Sequence, residues 1–135
     1  MSTTPDQDFI DRGVSEFGDL LGDLLEQTPG SCGAVLSDGV DDTIDVAFRP
    51  ALISKIDVSI TGAQIGQPLS RLNISTIIFG LGRAVIVVEG GDSILVCKVL
   101  WEHYLLTMIL TPKASMARAM RDFEAMGDKI LTLLR

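Results

Sequence analysis

Histidine, cysteine and clustered positive charge are scarce in this chain, and each scarcity removes a class of chemistry. One histidine is present, His103. A histidine-based triad or dyad therefore has a single candidate, and it lies in a short polar turn, Trp101-Glu-His103, where an exposed turn residue is the simpler reading. The two cysteines, Cys32 and Cys97, form no Cys-x-x-Cys pair, and with His103 they supply too few soft ligands for zinc. Each lies inside a strand-like run and nothing else points to an oxidising compartment, so free buried thiols are expected rather than a disulfide. Lys and Arg number 11 against 18 acidic residues, for a net charge of −7, and they form no block. A surface that neutralises phosphates needs clustered positive charge, so neither nucleic acid nor an anionic membrane is an expected partner. The longest uncharged apolar run, Leu72 to Gly82, falls far short of the roughly 20 residues that cross a bilayer. The N-terminus, Met-Ser-Thr-Thr-Pro-Asp-Gln-Asp, is acidic where a signal peptide is basic and then apolar, so a cytoplasmic location is expected.

What the chain does have is 47% apolar residues among 135, enough for one core in one domain. Residues 1–7 read as a frayed tail and 8–135 as the domain. The most informative stretch runs from Arg83 to Pro112. There Val85-Ile-Val-Val, Ile94-Leu-Val-Cys-Lys-Val and Tyr104-Leu-Leu-Thr-Met-Ile-Leu are separated by Glu89-Gly-Gly-Asp and by Trp101-Glu-His103. Connections that short join antiparallel neighbours, because a parallel return needs a crossover of about a dozen residues or more. The runs are apolar on both faces, so this meander needs cover above and below.

The flanks supply it. From Asp8, the apolar positions Ile10, Val14, Phe17, Leu21 and Leu24 step by three and four, the spacing of one helix face, which Gln27-Thr-Pro-Gly ends. Gly13, Gly18 and Gly22 weaken that helix by about 1 kcal/mol each relative to Ala, so it depends on docking. Ser31 to Ser37 and Thr43 to Phe48 read as a hairpin, with Ile44, Val46 and Phe48 on one face of its second arm. Pro50 suits a first helical turn, and Ile53, Ile56, Ile60 and Ala63 predict a middle helix. Gly62, Gly66 and Pro68 interrupt it. Leu69 to Phe79 then continues it with a bend, forms a separate helix or forms a strand, and the bend is preferred. Ser115 caps a last helix, along which Met116, Ala119, Phe123, Met126, Ile130 and Leu133 form one stripe. The Met116, Met120 and Met126 set is read as core packing of that helix rather than an adaptable binding surface.

That order, with Thr28-Pro-Gly30, Gly33-Ala-Val-Leu-Ser-Asp-Gly39, Gly80-Leu-Gly82 and the closing meander, resembles the Roadblock/dynein light chain family over about residues 8–134. The departure is Gly66-Gln-Pro68, inside a middle helix that is normally unbroken. The resemblance implies an α+β fold: a five-stranded antiparallel sheet with the middle helix on one face and the terminal helices on the other. It also implies homodimers joined by their third strands, no catalytic residue, and a role as an adaptor for small Ras-like GTPases or as a light chain. The bacterial gliding-motility GTPase regulators are among the relatives it suggests. Two readings follow. One is a homodimeric regulator of a small GTPase, with stimulation of hydrolysis as one mode of action. The other is a scaffold subunit that pairs with another Roadblock-like chain without affecting nucleotide turnover. No cofactor or metal is expected in either.

The residues support dimerisation independently. A strand such as Ala84-Val-Ile-Val-Val has no proline or charge to blunt an edge, and two-fold pairing with its copy would close it. Val85, Val87 and Arg83 are therefore interface candidates. On the middle helix, Lys55, Asp57, Ser59, Gln64 and Gln67 would offer polar contacts, while Ile53, Ile56 and Ile60 would lie on the sheet or on the dimer mate. For Arg83 and Arg49, ordinary surface charge is preferred over a role as an arginine finger. Asp38, Asp41, Asp42 and Asp45 crowd one loop but fit no calcium-loop spacing, so a solvated turn is expected. Gly80-Leu-Gly82 and Gly90-Gly91 lack the Gly-Lys-Ser/Thr of a P-loop and are read as turn glycines. Trp101 and Tyr104 are read as rim packing rather than partner anchors.

Overall fold

The computed structural model describes residues 8–38, 42–62, 85–101 and 104–135. Its first helix, α1 (Glu16–Gln27), begins where Ser15 turns its hydroxyl back to accept the N–H of Gly18, with Glu16 and Asp19 in the positively polarised first turn. This is later than the predicted start at Asp8. Residues 8–14 are not helical, because Asp11 exchanges both backbone hydrogen bonds with Phe48 and Gly13 turns the chain at φ +74°. Val14 consequently leaves the stripe and is 94% exposed. Leu21, Leu24 and Leu25 keep to it and are fully buried.

The hairpin forms as expected, from β1 (Ser31–Asp38) and β2 (Asp42–Phe48). Its register shifts between Leu36 and Ser37, which face Asp45 and Thr43, so Ile44 is an extra residue in β2. Ile44 therefore packs with the opposite cluster from Val46 and Phe48, not beside them as the alternation predicted. A turn at Arg49 to Ile53 follows, and Pro50 lies in it rather than in a helix. Ser54 then caps a helix at residues 55–62, α2. Its hydroxyl accepts the N–H of Asp57 at 3.1 Å and its carbonyl that of Val58 at 3.2 Å. Gly66 and Pro68 lie outside the described residues, as does the question of a bend there.

The meander is β3 (Val85–Glu89), β4 (Ile94–Trp101) and β5 (Tyr104–Leu110), followed by α3 (Met116–Leu134) with Ser115 as its cap. All five strands form one antiparallel sheet in the order β2-β1-β5-β4-β3. One face packs against α1 and α3 through Leu21, Leu25, Leu36, Leu106, Met108, Phe123 and Ile130. Phe123 is fully buried there, so its truncation to Ala would cost about 3–5 kcal/mol. Met126 is buried as well, while Met116 and Met120 pack from the margin, so the methionines belong to the core. On the other face Val35, Val46, Phe48 and Ile109 gather under Val58 of α2. The middle helix and the terminal helices thus take opposite faces.

Candidate functional site

The two outer strands of the sheet are treated differently. At β2, the chain's own residues 11–15 run alongside the edge. At β3, no strand among the described residues pairs with the outer side. β3 carries no proline and no charge before Glu89, so its outer N–H and C=O groups, which no described strand pairs, are a template for another strand. Val85 and Ile86 are half-buried, whereas Val87 and Val88 are 43% and 40% exposed. Apolar side chains therefore border the open edge on both faces.

Helix α2 lies on the side of the sheet to which Ile86 and Val88 point. Val58 is its fully buried residue, and Gly62, four positions on, faces Val35 and Ser37 at close range. These two, not Ile56 and Ile60, hold the helix on the sheet. Ile53 precedes the helix and packs half-buried against the Val58 cluster. Because Val58 and Gly62 take the sheet side, Ile56 and Ile60, each two positions from Val58, point outward, 70% and 48% exposed. Lys55 and Asp57 are exposed beside them, and Ser59 is partly so. Leu52, 44% exposed, and Val88 extend the apolar surface; in the sequence Val88 reads only as part of a run that needs cover on both faces. Between α2 and the meander lies a cavity of about 240 Å³ lined by Ile53, Thr61, Val88, Leu95 and Ile109. Of the candidates, Ile53, Lys55, Ile56, Asp57 and Ile60 lie on or just before α2, whereas Val85 and Val87 lie on β3, with Val85 packed towards the face of the sheet that α1 and α3 cover. Gln64, Gln67 and Arg83 lie outside the described residues, as do His103, Asp41 and Gly80 to Gly82.

Other candidates resolve into structural roles. Arg49 donates to the carbonyls of Ser31 at 2.9 Å, Leu25 at 2.7 Å and Asp8 at 3.2 Å. Its charge thereby meets the negative end of α1, which is neither a finger nor ordinary surface charge. Asp45 is only 5% exposed, not part of a solvated turn. Burial alone would raise its pKa. Hydrogen bonds from the Ser15 hydroxyl and from the N–H groups of Val46, Ser15 and Val14 outweigh that and hold it below the ordinary value. An acidic residue buried in a strand looks like ordinary alternation, so the sequence carried no signal for it. The cysteines are free and buried, and burial pushes both thiols up, that of Cys97 to about 11. No group of three His, Cys, Asp or Glu among the described residues converges to hold a metal. No described helix is long and apolar enough to cross a membrane.

No family model matches the sequence, and no curated protein does. Solved structures do match in fold. The Roadblock/LC7 domain from Streptomyces avermitilis superposes with a TM-score of 0.71 at 18% identity, covering 85% of this chain and 94% of that one. The gliding protein MglB from Thermus thermophilus gives 0.72 at 15% identity, covering 84% of each. Myxococcus xanthus MglB gives 0.71 at 14% identity, covering 89% of this chain and 98% of that one. With its five antiparallel strands between one helix and two, this chain has the Roadblock/LC7 fold.

Proposed function

We propose that this protein is a homodimeric regulator or adaptor that acts by binding other proteins, a small Ras-like GTPase foremost, and performs no chemistry of its own. The observation that carries the reading is the edge of β3, unpaired among the described residues and uncharged before Glu89, together with the exposed Ile56 and Ile60 of α2. Two β3 strands pairing about a two-fold axis would satisfy both edges and place the two α2 helices side by side. Val85, Val87 and Arg83 would lie at that junction. Ile53, Ile56 and Ile60 with Lys55, Asp57, Gln64 and Gln67 would form a composite face for the partner. One fold neighbour, an MglB, has a tetrameric arrangement, which supports assembly of copies. The likeness to gliding-motility proteins supports a GTPase partner.

The regulator would act by holding the GTPase switch loops in one of their states. Its net charge of −7 suits a partner with a basic patch, with the gain in association rate rather than in affinity. The protein would work in the cytoplasm, with no cofactor. Sedimentation of the full chain should show two copies, and Val87→Glu should separate them. Turnover of GTP by a co-encoded small GTPase should change when the protein is added; neither a complex nor a rate change would refute the regulatory role. The apolar character of the α2 face also favours the scaffold reading, in which another Roadblock-like chain pairs at β3 and turnover is untouched.

A further inference from the structure

We propose that the cleft at one end of the sheet, between the turns at residues 28–30, 49–53 and 111–115, docks a short acidic segment of a partner protein. None of its described lining residues belongs to β3 or α2, so the site stands whether or not chains pair through β3.

Three chain reversals build the cleft: from α1 into β1, from β2 towards α2 and from β5 into α3. Thr111 donates its N–H to the carbonyl of Gly30 at 2.7 Å, and Arg49 donates its N–H to the carbonyl of Cys32 at 2.9 Å. Gly30, at φ +85°, lets the first reversal close on the third, for a β-carbon there would lie 2.8 Å from that of Ala114. Walls tied in this way hold their shape before anything binds, which lowers the ordering cost of binding. They border a volume of about 590 Å³, the size of an ordinary ligand cleft.

The lining is at odds with the charge of the whole chain. Arg49, Lys113 and Arg118 meet there, and Asp8 is the one acid among the described lining residues. That is a local excess of positive charge in a chain of net charge −7. The cations come from separate parts of the sequence, so only the fold gathers them. Arg49 is spent on three carbonyls and lends its charge alone. Lys113 is exposed. Arg118 has a side chain 51% exposed; it gives one N–H to the Gln27 carbonyl at 3.0 Å and stands 3.8 Å from Asp122, so part of its fork remains for a ligand. The first turn of α3 brings no acid against them. Pro29 and Leu52, both exposed, add an apolar border.

Charge complementarity selects the occupant. Two available cations match one or two carboxylates, and the apolar border matches a side chain beside them. A long polyanion is a poorer fit, because the chain around the cleft carries the net negative charge and repels it. A short peptide keeps its acids inside the cleft.

The test follows amide NMR shifts of the full chain during titration with a capped peptide Gly-Glu-Leu-Glu-Glu-Gly and with its counterpart carrying Gln for Glu. Shifts should move saturably at residues 29–31, 52 and 111–118. The acidic peptide should bind about tenfold more tightly than the Gln peptide, the worth of two exposed ion pairs, and high salt should remove the difference. Lys113→Glu with Arg118→Glu should abolish the preference at an unchanged thermal midpoint. Lys113→Gln alone, which touches no hydrogen bond of α3, should weaken binding several-fold and decides the matter if the double variant unfolds. Val87→Glu, which addresses β3, should leave the peptide affinity as it was. Equal binding of both peptides, no saturable shift, or binding that survives loss of Lys113 would overturn the proposal. So would an oligothymidylate or anionic vesicles moving the same amides at lower concentration, since the cleft would then be a site for phosphates.

Discussion

Val58 rests on Gly33 so closely that a β-carbon on Gly33 would lie 2.8 Å from the Val58 methyl Cγ2. No other residue type lets α2 come this near to β1. Gly33→Val should therefore push the helix off the sheet, at a cost of about 1–3 kcal/mol from overpacking. Thermal unfolding should show the midpoint fall by several degrees. The same variant should weaken partner binding, because Ile56 and Ile60 are carried on the displaced helix.

Asp45 predicts an acid-sensitive fold. Its pKa is lower folded than unfolded, so its contribution is fully present above the ordinary carboxylate value of 3.8 and is lost as pH falls through the depressed folded one. Asp45→Asn should be less stable than the parent at pH 7, and the gap between their urea midpoints should narrow as pH drops from 5 towards 2. A gap that is constant with pH would show that the carboxylate charge contributes nothing.

Arg49 joins three backbone carbonyls from separate parts of the chain. Arg49→Ala should lose about 1.5–3 kcal/mol, the worth of hydrogen bonds to a charged group. Arg49→Lys should recover little of it, since a single ammonium cannot reproduce the planar fork. Chemical denaturation measures both. If partner GTP turnover is stimulated, these variants should alter it only in proportion to unfolding, which separates a staple from a finger.

The Cys97 thiol lies inside the sheet and its pKa is pushed up to about 11 by burial, with the facing Thr107 hydroxyl opposing. At pH 8 it should remain protonated and out of contact with solvent. A thiol reagent should modify it at the rate of unfolding, with a sharp rise in labelling across the denaturant transition.

The meander, the hairpin and the last helix were legible because each has strong periodicity and short connections. Two of the departures concern where a helix begins. Ile10 and Val14 fall at helical spacing by coincidence, while the pairing of Asp11 with Phe48 depends on a strand 37 positions away that no local pattern contains. At α2 the apolar stripe suggested Ile53 as a helical residue, although Ser54 with Asp57 three positions later is a capping signal that set the start correctly. Val58 and Gly62 take the sheet side, so of the two places expected for Ile56 and Ile60, the sheet or the dimer mate, the sheet is taken. The candidate edge at β3 was legible because a run of valine and isoleucine without proline or charge is hard to hide. Its asymmetry with β2 was not, since the residues that close β2 look like an ordinary helix beginning.

The strand order has a consequence for how the molecule is made. β1 lies between β2, its neighbour in the chain, and β5, so that Ser31 is paired with Leu110. A nascent chain can complete the first hairpin early, yet one flank of β1 stays bare until the distant β5 has been synthesised. Such distant pairing makes refolding slow for a chain of this length. That exposed flank makes the interval before β5 arrives the stage at which misassociation is most dangerous.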